Sequence, residues 1–260
     1  MKACAFLFIA LGLLVSPHAL AQLPGQGAVE VTAEDRLEWR EEEGRFLAVG
    51  KAQATRDDLT VQADELSAYQ TQGTSNAQEI EKLVARGHVV VTKGNVRIAG
   101  GMGHYHVKNN LAIITGGPLT LTQDNLTLKA TQRLEYDGPN KKAYAFGDVV
   151  AVDGDKRVTA DQLVANLRPN AKGQDEIYQI IAHNNVTVTT QEDIARGQKL
   201  VFDVGRNIAI LSGNVQITRA GSQFSGEVAE VDFAKGQSRL LPSGRGSRVR
   251  ALLFPTEGNP

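Results

Sequence analysis

The sequence predicts an all-β chain of repeated antiparallel two-strand units, on three observations. Apolar and polar residues alternate at a spacing of two in run after run. Glycine, asparagine and aspartate turn residues separate the runs. One phrase recurs, as "GHVVVTKGNVRIAGG" from Gly87, "GGPLTLTQDNLTLKA" from Gly116, "GDVVAVDGDKRVTA" from Gly147 and "GNVQITRAGSQFSG" from Gly213. Alternation with β-branched residues describes strands buried on one face. Recurrence at a near-constant period describes a stacked or facing set of such strands.

Taken in order, the first 21 residues stand apart. Lys2 is followed by an apolar stretch from Ala3 to Val15, and Ala19-Leu20-Ala21 has the small-residue pattern of a cleavage site. This reads as a secretory signal peptide cleaved after Ala21, since its apolar run falls short of the ~20 residues of a membrane span. The only cysteine, Cys4, lies inside it. The exported chain would therefore carry no disulfide, and at its length it needs none. A net charge of −1 lacks the basic footprint of a nucleic-acid binder.

The repeat begins with "VTAEDRLEW" from Val31. Its anchor is a glycine, once an asparagine, followed by apolar residues two and four positions on. The anchors are Gly50, Gly87, Gly117, Gly147, Asn184 and Gly213, spaced by 37, 30, 30, 37 and 29 residues. A second phrase follows about ten residues later: "LTVQADELSAY" from Leu59, "LTLKATQRLEY" from Leu126, and a looser "VTADQLVAN" from Val158. A third, such as "FLAVG" or "AYAFG", runs into the next anchor and begins the next strand. Polar insertions from Thr71 and Arg168 read as loops, and "NAQEIEKLVARG" as a loop feeding the strand at Gly87. About seven units of two strands give roughly 14 strands, arranged as a jelly roll of two sheets or as a β-solenoid. The inward stripes would line one apolar interior, capacious because only 5% of residues are aromatic.

The combination of G-x-V-x-[VLI], then [VL]-x-A-x-x-x-[LV]-x-[YWF], behind an export signal resembles the LptA/OstA family of lipopolysaccharide transport proteins, most clearly from Val29 to about Phe233. The resemblance implies an open, twisted antiparallel β-jelly roll over residues 22–238, with residues 239–260 as a basic, partly flexible tail. It implies a periplasmic, non-enzymatic carrier without cofactors that shelters the lipid A acyl chains of lipopolysaccharide. The interior stripe would then bind lipid through Val89, Val91, Ile98, Leu119, Leu121, Leu126, Leu128, Val149, Val186, Val188, Val215 and Ile217. Head-to-tail self-association, and docking to an LptC-like inner-membrane subunit and an LptD-like outer-membrane receptor, would use the terminal strand edges. Val29 and Val31 mark one edge; Val231 and Phe233, or a strand within residues 249–254, mark the other. The chain has neither an LptC-like anchor helix nor an LptD-like barrel, which favours the bridging component. The alternative is a structural β-solenoid of the envelope without lipid cargo.

Other constellations read as structural. His104 and His106 share a strand face, with His88 nearby, but no further ligand completes a metal site. Gly100 to Gly103 reads as a bulge or sheet corner. Ser222 has no evident base. Asp64 and Asp161 occupy a repeat slot that holds Glu34 and Thr131 elsewhere, so they read as outward and solvated. Trp39, Tyr69 and Tyr136 close the second phrase and read as rim or core packing, with a place at the mouth of the trough as the alternative. Arg239, Arg245, Arg248 and Arg250 make the tail basic, able to meet phosphates or an acidic neighbour.

Overall fold

The computed structural model describes residues 29–72, 78–171, 173, 175–235, 237–242 and 248–254. The expected signal peptide lies outside them. The described chain forms one antiparallel sheet of 18 strands. In order these are β1 (Glu30–Thr32), β2 (Arg36–Arg40), β3 (Arg45–Arg56), β4 (Leu59–Gln72), β5 (Gln78–Lys93) and β6 (Val96–His106). There follow β7 (Leu111–Thr115), β8 (Leu119–Gln123), β9 (Leu126–Ala130), β10 (Arg133–Asp137), β11 (Lys142–Asp153) and β12 (Lys156–Pro169). The last are β13 (Asp175–Thr189), β14 (Asp193–Asp203), β15 (Ile208–Arg219), β16 (Ser222–Asp232), β17 (Gln237–Leu241) and β18 (Arg250–Leu252).

The sheet is folded along one line. Register shifts fall between Val49 and Ala52, Arg86 and Val89, Phe146 and Val149, His183 and Val186, and Ser212 and Val215. Each shift contains an anchor and the residue after it, both in the left-handed region: Gly50 and Lys51, Gly87 and His88, Gly147 and Asp148, Asn184 and Asn185, Gly213 and Asn214. Successive left-handed residues bend a strand sharply, and the first position favours glycine or asparagine. The recurrent glycine is thus the hinge of a crease. Four of the fourteen passes break in two there (β1/β2, β7/β8, β9/β10 and β17/β18), which gives 18 strands.

The crease divides the sheet into two facing leaves, the arrangement of a jelly roll. The first leaf holds β2, β7, β10, β17 and one half of every longer strand; the second holds β1, β8, β9, β18 and the other halves. Small residues let the leaves close. Ala63, Gly100, Ala130, Ala160, Gly197 and Gly226 stand opposite Ala52, Val89, Leu119, Val149, Val186 and Val215. A Cβ on Gly100 would sit 2.6 Å from Ile114 Cγ2, and one on Gly197 would sit 2.8 Å from Leu211 Cδ1. The second phrase carries its alanine for this reason.

Two expectations are corrected. "NAQEIEKLVARG" is not a loop: from Gln78 onward it is β5, held by Ile80 opposite Gln70 and Leu83 opposite Ala68. Pairing along the whole of β4 supplies the order that its weak pattern does not. The tail also contributes strands, because Arg239 lies in β17 and Arg250 in β18, both paired with β16.

A longer period underlies the shorter one. β3 and β11, β4 and β12, and β6 and β14 match in length, and each pair starts 97 residues apart. The two copies differ in packing. One apolar core runs from Val96 to Ala229 and takes in the end of the first copy, whereas Ala63, Ala85 and Val89, earlier in that copy, form a small separate cluster.

Candidate functional site

The space between the leaves contains the candidate site. At the open end, where β1 and β2 have no further neighbour, it is a trough of about 890 Å³. Leu37, Trp39, Phe46, Leu66 and Leu83 form its first-leaf wall, and Val61, Val89 and Val91 its second-leaf wall. Trp39 and Phe46 pack with ring centroids 4.0 Å apart, yet they remain 38% and 47% exposed and Leu37 61%. Soluble proteins seldom leave so large an apolar surface open without a use for it. Deeper in lies a second cavity of about 160 Å³, lined by Leu121, Leu126, Leu128, Leu134, Leu163 and Ile177 among others. Ile98, Ala112, Ile114 and Tyr136 line both spaces. Further along, buried residues of both leaves, such as Val186 and Leu211, belong to one apolar core.

Tyr136 stands at the junction. Its hydroxyl donates to Asp175 Oδ2 at 3.2 Å, and Lys141 Nζ donates to the same oxygen at 2.9 Å. Burial, with the charge of Asp175, pushes the tyrosine pKa well up. It stays a neutral donor, fixed by a fully buried carboxylate. Nearby Tyr105 donates to Asn110 Oδ1 at 3.1 Å and is pushed up to about 12 by burial.

The stripe read from the sequence divides into three groups. Val91, Ile98, Leu121, Leu126 and Leu128 line the open spaces. Leu119, Val149, Val186 and Val215 are at most 1% exposed, as is Val89, and fill the crease itself. Val188 and Ile217 pack against the core without lining either space. Of the first-leaf wall, the sequence points only to the closing aromatics Trp39 and Tyr136, at its rim. The wall's signal was the closing L-x-[WY] of the second phrase, Leu37-Glu38-Trp39 and Leu134-Glu135-Tyr136, together with the run before each anchor. Of the aromatics in that slot, Tyr69 turns away, with Lys82 Nζ 4.5 Å from its ring centroid.

The edges are also revised. Val31 pairs with Ala54 on one side only, and Val29 precedes it, so both lie at the first edge. Val231 is not at an edge: it pairs with Ala209 on one side and Ser238 on the other. Phe233 is buried and packs edge-on to Phe202, centroids 6.3 Å apart. The chain turns back after β16 and covers it, which makes β17 and β18 the second edge. β18 falls within the alternative 249–254 range.

Polar groups of the repeat slots serve the crease. Across its outer side Lys51 meets Glu34 at 3.0 Å, His88 meets Asp64 at 2.8 Å, Thr131 meets Asp148 at 3.4 Å and Asn185 meets Asp161 at 3.1 Å. These exposed pairs are worth little individually. They recur because the hinge recurs. His104 lies against Met102 Sδ instead, and burial lowers its pKa. Among the described residues, no group of three His, Cys, Asp or Glu side chains could hold a metal.

The sequence matches the LptA/(LptD N-terminal domain) LPS transport protein family over residues 30–132 and again over 128–237. The chain belongs to that family. Two successive matches agree with the 97-residue offset between equivalent strands, so this chain carries two LptA-type modules in tandem, joined in one sheet. Gly50 corresponds to Gly147, Gly87 to Asn184, and Ala63 to Ala160. Among solved structures, the chain is similar to LptH from Pseudomonas aeruginosa, described as the LptA homologous periplasmic component of the lipopolysaccharide transport device. The identity is 16% and the TM-score 0.43, covering 50% of this chain and 95% of that one. No curated protein matches the sequence.

Proposed function

We propose that this LptA-family chain is a non-enzymatic periplasmic carrier that holds the acyl chains of lipopolysaccharide between its leaves and passes them from the inner to the outer membrane. The observation that carries the reading is the apolar trough, open at the β1/β2 end and sharing walls with the inner cavity. An acyl chain in water costs about 0.8 kcal/mol per exposed CH₂, so a route across an aqueous compartment needs continuous apolar cover. Two leaves lined from both sides give that cover with no moving part. The edges at β1/β2 and β17/β18 supply unpaired backbone groups for strand addition. In this reading they join copies head to tail and dock matching folds of an LptC-like subunit and an LptD-like receptor.

Photo-crosslinking tests the reading. A crosslinking residue at Val91 or Leu128 should capture lipopolysaccharide, whereas one at Thr120 or Gln216, adjacent to or on the same leaf but outside the stripe, should not. Equal capture at both pairs would remove the sheltered path and leave the envelope-scaffold alternative.

A further inference from the structure

One cation of the wide trough lacks a partner. Lys93 ends β5 at the rim of the second leaf and lines the trough, and its Nζ is buried without a hydrogen-bond partner. A buried ammonium that meets no anion is unfavourable unless something supplies one. Burial lowers its pKa, opposed by the charges of Asp58 and Asp57. Both carboxylates lie in the exposed turn between β3 and β4; Asp58 also lines the trough, but neither is within ion-pair distance of Lys93. A second cation stands in the same cross-strand row: Arg56 is opposite Leu59, which is opposite Lys93. Arg56 is largely buried, with its Nε 3.9 Å from Asp57 Oδ2.

The second module is built differently at these positions. The 97-residue offset places Thr190 where the first has Lys93, and Asp153 where it has Arg56. Asp153 stands opposite Lys156 in its own hairpin. The unpartnered lysine and the wide trough therefore coincide in the first module alone.

We propose that Lys93 receives the anionic head group of an amphiphile whose acyl chain lies in the wide trough. This rests on the acyl-binding reading above and adds to it the place and charge of the head. An acid group at the rim meets the ammonium while its chain runs inward along Val61 and Val91. A phosphate or a carboxylate would serve, because either accepts charge-assisted hydrogen bonds.

Titration calorimetry with three ten-carbon probes below their micelle thresholds tests the inference: decyl phosphate, decanoate and decanol. Wild type should bind at least one anion about tenfold or more tighter than decanol, the order expected of a hydrogen bond to a charged group. The preferred anion identifies the head as phosphate or carboxylate. Lys93→Met should reduce that anion's affinity to the level of decanol and leave decanol unchanged, and Lys93→Arg should retain the preference. Lys93→Met should also melt above wild type without ligand, since it removes an unpaired buried charge, and this excludes misfolding as the cause. If wild type does not distinguish anion from alcohol, or Lys93→Met leaves anion binding intact, the inference falls while the acyl trough stands. If none of the probes binds wild type, the acyl-trough reading falls, and this inference with it.

Discussion

Val91 and Leu119 both belong to the alternating stripe, but they do different work. Leu119 is fully buried in the crease, opposite Ala130. Val91 is partly buried and borders the open trough. Leu119→Ala leaves a hole that the close-packed leaves cannot fill, and should cost about 2–5 kcal/mol, read as a lower urea midpoint with lipid binding preserved. Val91→Asp puts an unpaired charge in an apolar wall. It should abolish acyl binding while far-ultraviolet circular dichroism stays that of wild type. If both variants lost stability and binding together, the separation between crease and trough would be wrong. Sequence alone does not make this separation. Alternation shows which residues face inward, whereas depth depends on how far the facing leaf lies from each position.

At the scale of elements, the position of the edges decides what proline does. Proline removes a backbone donor and is tolerated only where no ladder bond is lost. β1 has a partner on one side alone, and β16 is covered on one side by β15 and on the other by β17 and β18. Val31→Pro should leave the chain folded and weaken concentration-dependent association, measured by light scattering across a dilution series. Val231→Pro should instead lower the melting temperature, because it breaks an interior ladder. A folded, association-defective Val231→Pro would return the second edge to β16. The strands themselves were legible, since Leu59, Val61 and Ala63 alternate cleanly. The cover over β16 was not, because Pro242, Gly244 and Ser247 give that stretch the composition of a loop and its pairing depends on β16. The crease was hidden for a related reason. A glycine between two apolar runs looks the same whether it starts a strand or bends one, and only the cross-strand register distinguishes them.

For the whole molecule, the two modules share a plan but not a degree of closure. The second is enclosed in the main core; the first spreads its leaves at a free edge. Backbone protection follows burial and the cover of neighbouring strands. Amides of β12 to β15 should therefore exchange with deuterium more slowly than those of β1 to β3. Uniform protection along the chain would contradict the asymmetry. The 97-residue period was present in the sequence, in the repeated order of long and short spacings and in polar insertions at Thr71 and Arg168. The stronger thirty-residue rhythm conceals it, because every unit must satisfy the same hinge and so looks alike. Among the differences between copies are side chains on the first leaf, Phe46 against Ala143 and Trp39 against Tyr136, and at the second-leaf rim, Lys93 against Thr190.

The absence of any seam where the two modules meet has a consequence for traffic. β8 pairs with β9 and β9 with β11, so the sheet passes from one module to the next through ordinary hairpins and ladders. At ~4.8 Å between neighbouring strands, fourteen passes extend roughly 65 Å along the sheet. A relay of separate single modules covering that distance would have a joint at its middle that opens and closes with concentration. Here the joint is covalent and its occupancy is one at any dilution. In the proposed bridge, a molecule of cargo would thus meet half as many places where the road can come apart.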